Sequence, residues 1–377
     1  MPAACPANIR EAKIAVGLKP QTDVVTPNLQ ADLWSFTKVN TALAVVEPRT
    51  ETDALDIGKG DEFPTTVFKT SISTSMALEK YASSEFAAWL FAFALGSCAK
   101  TAAGTGWTYA STPQNPTTAC INLPAFTYVE QIRQTPNAVV DWAPVGMVIN
   151  DFTLNLETGP GRANCRLSCN CIGTGKLVNP SGYTIPAVTT EHSLNASGAT
   201  VLTVNGIDYL AGTGIGRFNT LEFRWNNNLR ADTGYYAGSG TQNGFGVRGR
   251  MEFGNREVTL NFVARAIAGS VEFNNLLGLV EGATTLTIGG AVIGAGPQTN
   301  GITLSFPRTI ISSEVNGESD GVVTVNCGVT ILMPVAGPPL CTLSATTPLN
   351  NVFGQLLTVE EEEHAGMHPD DMTKKAA

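Results

Sequence analysis

The residues best suited to chemistry are few, and their spacing argues against it. Three cysteines stand at Cys165, Cys169 and Cys171. Thiolates are the ligands of structural zinc, but zinc motifs bring two of them together through a tight C-x-x-C turn. On an extended strand these three share one face in a row, and a disulfide among them would distort the strand. They read as buried small apolar side chains, the usual role of a free cysteine. Only three histidines are present: His364 and His368 in an acidic C-terminal stretch, and His192 between Glu191 and Ser193 in a polar segment that reads as surface. Any Ser-His-Asp or Cys-His relay would depend on His192, which leaves almost nothing for acid–base work near neutral pH. Gly244-Phe245-Gly246 and Gly289-Gly290 lack both a P-loop lysine and the G-x-G-x-x-G spacing, so they read as turn glycines. Glu360, Glu361, Glu362 and Glu363 form a charge run of the solvated kind. The expectation is a chain that is not an enzyme, with no catalytic residue, no cofactor and no metal.

The composition is that of a protein that buries much of its surface. Its 377 residues are enough for two packed cores. Charged residues make up 15% of the chain, against about 25% in an ordinary soluble protein, so part of the surface is expected to be protein–protein interface. Thirty-eight Gly and 21 Pro favour short strands joined by many turns. The net charge of −9 excludes a basic nucleic-acid clamp, which needs clustered Lys and Arg. No secretory leader is read in MPAACPANIREAK, and the longest apolar run, 86–95, is too short to cross a bilayer. Synthesis in a reducing cytosol is therefore expected, with the eight cysteines as free thiols and no membrane partner.

Along the chain, residues 1–30 read as an extended N-terminal arm lying on a neighbour. Strand composition follows at 33–46, a long polar loop at 47–64, and a strand at 66–78 with alternating faces. A helix follows: Ser84 can cap it, Phe86, Trp89, Leu90 and Phe93 recur at i, i+3, i+4 and i+7, and Gly96 stops it. Residues 97–146 read as loop-rich, and 147–173 as a long hairpin turning at Thr158-Gly159-Pro160-Gly161.

The second half repeats this order. A strand at 218–229 precedes a Gly-rich loop at 231–246, and a further strand lies within 247–267. Ser270 can cap a helix carrying Phe273, Leu276, Leu277 and Val280 at the same spacing, and a second long hairpin spans 301–334. The stretch 283–300 reads as a loop or edge strand. The expected divisions are an N-terminal arm (1–30), a first domain (31–175), a peripheral β segment (176–216), a second domain (217–340), and a C-terminal arm with an acidic tail (341–377). The fold class is mainly β with two short helices, as two tandem β-sandwich domains, each with long hairpins and one flanking helix.

Strand, protruding loop, strand, helix and long hairpin, carried by FKTSISTSMALEKYASSEFAAWLFAFALG, VINDFTLNLETGPGRANCRLSCNCIG and FNTLEFRWNNNL, make the chain resemble the tail tube proteins of long-tailed, non-contractile bacteriophages over about residues 31–335. The resemblance implies a structural virion protein whose sheets join edge to edge into rings, stacked into a conduit for DNA ejection. It also implies tape-measure, tail-terminator and distal tail proteins as partners, DNA passing without specific binding, and a place in the virion tail after synthesis in the host bacterial cytoplasm. Two such domains per chain predict a trimeric ring with pseudo-sixfold symmetry, or a hexamer if there is no duplication. The loops predict an inter-ring interface at Asp53, Asp56, Lys59, Asp61, Glu62, Tyr235, Tyr236 and Phe245; the eight apolar helix positions predict core elements. A capsid, head-decoration or tail-terminator protein is the alternative, although the long spine helix of a capsid shell is not found. A secreted adhesin would need a leader, and a polysaccharide-cleaving enzyme would need paired carboxylates.

Overall fold

The computed structural model describes residues 12–35, 44–52, 66–114, 123–134, 138–159, 162–179, 183–210, 218–266, 271–294, 298–319, 321–334 and 339–354. The first half contains β1 (Ala12–Gly17), β2 (Leu33–Ser35), β3 (Ala44–Thr52), β4 (Val67–Tyr81), α1 (Ser84–Leu95), β5 (Gly96–Ala103), β6 (Gly106–Pro113), β7 (Tyr128–Gln134), β8 (Ala138–Trp142), β9 (Val148–Gly159) and β10 (Arg162–Gly173). The second half contains β11 (Ala199–Val204), β12 (Ile207–Asp208), β13 (Phe218–Asn226), β14 (Thr241–Gln242), β15 (Phe245–Gly246), β16 (Glu257–Arg265) and α2 (Val271–Gly278). It ends with β17 (Gly282–Val292), β18 (Thr299–Ser319), β19 (Val322–Ile331) and β20 (Thr342–Thr347). Among the described residues the fold is mostly strand with two α-helices, a β-sandwich in which a large mixed sheet and a small sheet, β2-β1-β7-β8, enclose one helix.

That helix is α1, and local chemistry sets both of its ends. The N-cap is Ser83, one residue before the position expected, and its hydroxyl accepts from the Phe86 N–H at 3.2 Å. Gly96 closes the helix at φ +84°, a conformation that only glycine adopts without strain. All twelve helical residues are buried, so the helix has no solvent face, as expected of a helix that is apolar all round. Trp89 touches Phe86, Phe93 and Phe126, and its indole N–H donates to the Gly17 carbonyl at 3.0 Å. The helix packs against β5, β6, β9, β18, β20 and the short turn Val352–Gly354, which come from both halves of the chain.

Several segments differ from the sequence reading. The described part of the N-terminal arm contains β1, which pairs with β2 and β7 and buries Ile14, Ala15 and Val16. The C-terminal arm contains β20, which pairs with β18 and β6 and buries Leu343 and Ala345. Residues 97–146 hold the β5–β6 and β7–β8 hairpins, and 44–52 continue as strand into the polar loop expected at 47–64. β17 is neither loop nor edge, because it lies between β11 and β18. These strands are short or rich in Ala, Gly, Ser and Thr. β17 and β20 do alternate in burial, through Thr284, Leu286 and Ile288 and through Leu343, Ala345 and Thr347, but the small and polar residues among them blur the apolar pattern in the sequence.

Candidate assembly interface

Eight strands of the large sheet form two blocks with the same order. In the first, β9-β10-β4-β3 lie side by side; in the second, β18-β19-β16-β13 do, all antiparallel. Each block therefore consists of a long hairpin, the strand that precedes a helix, and the strand that precedes a long loop. The blocks are joined in the middle of the sheet by β13 on β9, with Leu221 opposite Leu156, Phe223 opposite Leu154 and Trp225 opposite Phe152.

This internal seam is apolar and locked. Phe152, Phe223 and Trp225 are fully buried, and the Phe152 and Phe223 rings meet edge to face at 5.7 Å. Asn227, which follows β13, has no solvent exposure. Its amide accepts from the Trp225 indole N–H at 2.9 Å and donates to the carbonyls of Ala94 and Ile149 at 3.0 Å each. One side chain thereby ties β13, β9 and the end of α1 together.

The outer edges of the two blocks differ from this seam. Among the described residues, β3 pairs with β4 alone. Along Ile310–Ser319, β18 pairs only with β19, because β17 leaves it at Thr309 and β20 covers 301–305. Two backbone edges thus lie at opposite ends of the double block without a strand partner among the described residues. An unpaired edge is a template for another chain.

One face of this sheet packs on the core and the other is polar. Cys165, Cys169 and Cys171 are free thiols on the core face, buried among β4 and β9; burial pushes the Cys165 thiol up to about 12. The opposite face carries Ser, Thr and Asn with charges of both signs, and an open trough of about 720 Å³ runs along it, lined by Asn155, Glu157, Arg166, Thr220, Glu222 and Asn261. Arg166 also pairs with Glu79 at 3.3 Å.

The Gly-rich loop after β13 lies sideways across the first block. The Tyr235 hydroxyl donates to the Ile72 carbonyl at 3.2 Å, the Lys69 ammonium donates to the Asn243 carbonyl at 2.9 Å and sits over the Phe245 ring, and Gly246 bridges to Ser71. Buried Arg248 donates to the carbonyls of Gly173 and Ala231 and stacks on Tyr235. Tyr235 thereby holds this loop to β4 within its own chain. Tyr236 is 52% exposed and Phe245 half-buried. Asp53, Asp56, Lys59, Asp61 and Glu62 lie outside the described residues, as does Ser270.

The two helices are also placed differently. Phe86, Trp89, Leu90 and Phe93 are fully buried, whereas in α2 Phe273 is 48% and Leu277 69% exposed and Val280 lies beyond the helix end. Only Leu276 of that stripe packs on the core, and the face turned inward carries Glu272, which accepts from the Tyr209 hydroxyl at 3.0 Å. The spacing identifies a stripe but not which side of the helix faces the sheet. Sequence reasoning also missed a buried polar cluster at the start of α1. There Lys80 pairs with Glu191, the Ser83 hydroxyl donates to Glu191 at 2.7 Å, and the His192 backbone N–H donates to Glu85 at 2.9 Å. The His192 ring nitrogen lies 2.7 Å from the same Glu85 carboxylate, so this residue fastens the 183–198 segment to α1 instead of lying loose on the surface. Lys80 on the core face of β4 was the signal for this cluster.

The described residues thus form a β-sandwich with two like blocks, two backbone edges without a strand partner among the described residues, and a polar outer face. The family model of the phage tail tube protein matches residues 11–331, and the chain belongs to that family. It is a structural component of the virion tail, and its family role is self-association into a tube. A search of curated proteins found no match to the chain. No helix among the described residues is long and apolar enough to cross a membrane.

Proposed function

We propose that three copies of this chain close into one ring of the tail tube, each supplying two blocks, so that six blocks line a pseudo-sixfold lumen. The single observation that supports this reading is the repeated block order, joined inside the chain by β9 and β13. A ring closes at one diameter only for a fixed amount of sheet, so three double blocks stand in for six single ones. The polar face, with Glu157, Glu222, Arg166 and Arg224 among Ser, Thr and Asn, faces the lumen, where mixed charge lets DNA slide without adhering. No catalytic step is assigned to the chain. Tyr236 and Phe245, with the 53–62 loop, contact the next ring, and tape-measure, tail-terminator and distal tail proteins are the further partners.

Native mass spectrometry of isolated rings, or cryo-microscopy of the tube, tests this reading. Three copies per ring are expected, and six copies would overturn it. Deleting 235–245 should leave rings that no longer stack, whereas tubes of normal length would remove that loop from the inter-ring contact.

A further inference from the structure

We infer that the seam between neighbouring chains copies the seam inside the chain: the edge of β3 in one copy adds antiparallel to the 310–319 edge of β18 in the next, with Val45 opposite Val315. This rests on the ring reading above and adds to it the two strands and their register.

The register comes from a landmark shared by the two blocks. β9 carries one extra residue, Asn150, where its pairing with β10 steps from Asp151–Asn170 to Ile149–Cys171. β18 carries one extra residue, Ser312, where its pairing with β19 steps from Ser313–Gly328 to Ile311–Val329. A β-bulge fixes register locally, so the two can be laid on each other. That places Leu154 on Asn316, Thr153 on Val315 and Phe152 on Glu314. The next ladders follow without adjustment: Met76, opposite Cys171, falls on Leu260, opposite Val329, and Ala44, opposite Met76, falls on Phe223, opposite Leu260.

Inside the chain Phe223 faces Leu154, Arg224 faces Thr153 and Trp225 faces Phe152. Transferred between chains, Ala44 faces Asn316, Val45 faces Val315, Val46 faces Glu314 and Glu47 faces Ser313. A separate observation agrees with this register. Val45 is 47% and Val315 62% exposed, apolar side chains at the two outer edges of a largely polar face. Directly opposed, they cover one another, as cross-strand β-branched pairs do. The occupant of each edge is therefore a second copy of this chain, in a head-to-tail contact that closes by rotation. The exposed Phe273 and Leu277 lie on α2, the helix that packs on β18, the strand that supplies one side of this contact.

The test uses the full chain. Because both valines are exposed, Val315→Asp and Val45→Asp should keep the wild-type circular dichroism and melting curve but lower ring formation at least tenfold. Val45→Lys combined with Val315→Asp should restore it. A Val45→Cys/Val315→Cys chain, oxidised after assembly, should run on a non-reducing gel as covalent circles of three copies, and neither single-cysteine chain should do so. Normal rings from Val315→Asp, no rescue by the charge pair, or three-copy rings that do not cross-link would overturn the seam while leaving the ring reading intact. Covalent circles of six copies would keep the seam and remove the three-chain reading.

Discussion

The two blocks share strand order and a bulge, yet their helices have opposite surroundings. α1 is enclosed on every side, with Trp89 bonded to Gly17 and the end of the helix held by Asn227. α2 is fastened along one side through Glu272 and Leu276 and leaves Phe273 and Leu277 in the open. One pattern of apolar residues thus serves two purposes, and the difference lies in what the rest of the chain places over it. β5, β6 and β20 cover the first helix, and among the described residues no comparable hairpin covers the second. The first helix is covered within the chain, and the second is covered on one side only.

The largest effect that would sharpen this contrast is expected at Trp89. Trp89→Ala should destabilise the fold by about 3–5 kcal/mol, as truncation of buried aromatics does, and leave little soluble protein. A Trp89→Ala chain that melts like wild type yet fails to assemble would show that α1 serves assembly and not the core. Lys80→Met should cost a similar amount, about 3–5 kcal/mol, because it leaves the Glu191 carboxylate buried without its cation. Burial holds the Lys80 ammonium below its ordinary value of 10.5. The unfolded chain therefore binds more protons in the window just beneath 10.5, and stability contributed by this group rises with pH there. Denaturant melts between pH 8 and 10.5 should show that slope in wild type and lose it in Lys80→Met.

Asn227→Ala is expected to cost about 2–4 kcal/mol, since it leaves the Trp225 N–H and the carbonyls of Ala94 and Ile149 buried without their partner. Chemical denaturation measures it, and a change under 0.5 kcal/mol would mean that the internal seam is held by packing alone. The smallest effect on stability belongs to α2: Phe273→Ser with Leu277→Ser should change it by less than about 0.5 kcal/mol, as exposed substitutions do. A large loss there would place α2 in the core after all.

Legibility in the sequence followed the same divide. The 147–173 and 301–334 hairpins were readable because Phe152, Leu154 and Leu156, like Val325, Cys327 and Val329, alternate with polar residues over one buried face. α1 was readable from its caps and its aromatics. β1, β5 and β20 were not, since AKIAVG, GSCAKTAA and TLSATT are short and place mostly small or polar residues at their buried positions. The assembly edges were invisible for a different reason: a free backbone edge is a property of what does not pair, and no side chain records it. Val45 and Val315 become informative only once the sheet shows which way they point.

The enclosure of α1 also has a consequence for timing. The helix is complete at Leu95, but β20, one of the strands that covers it, begins at Thr342. At roughly 5–20 residues per second of synthesis, about 250 further residues leave this apolar segment only partly covered, by β5, β6 and β9, for something like 12 to 50 s. The nascent chain cannot mature half by half. Its aromatic helix lacks part of its cover until β20 leaves the ribosome, so a message truncated before β20 should yield aggregate and no folded first half.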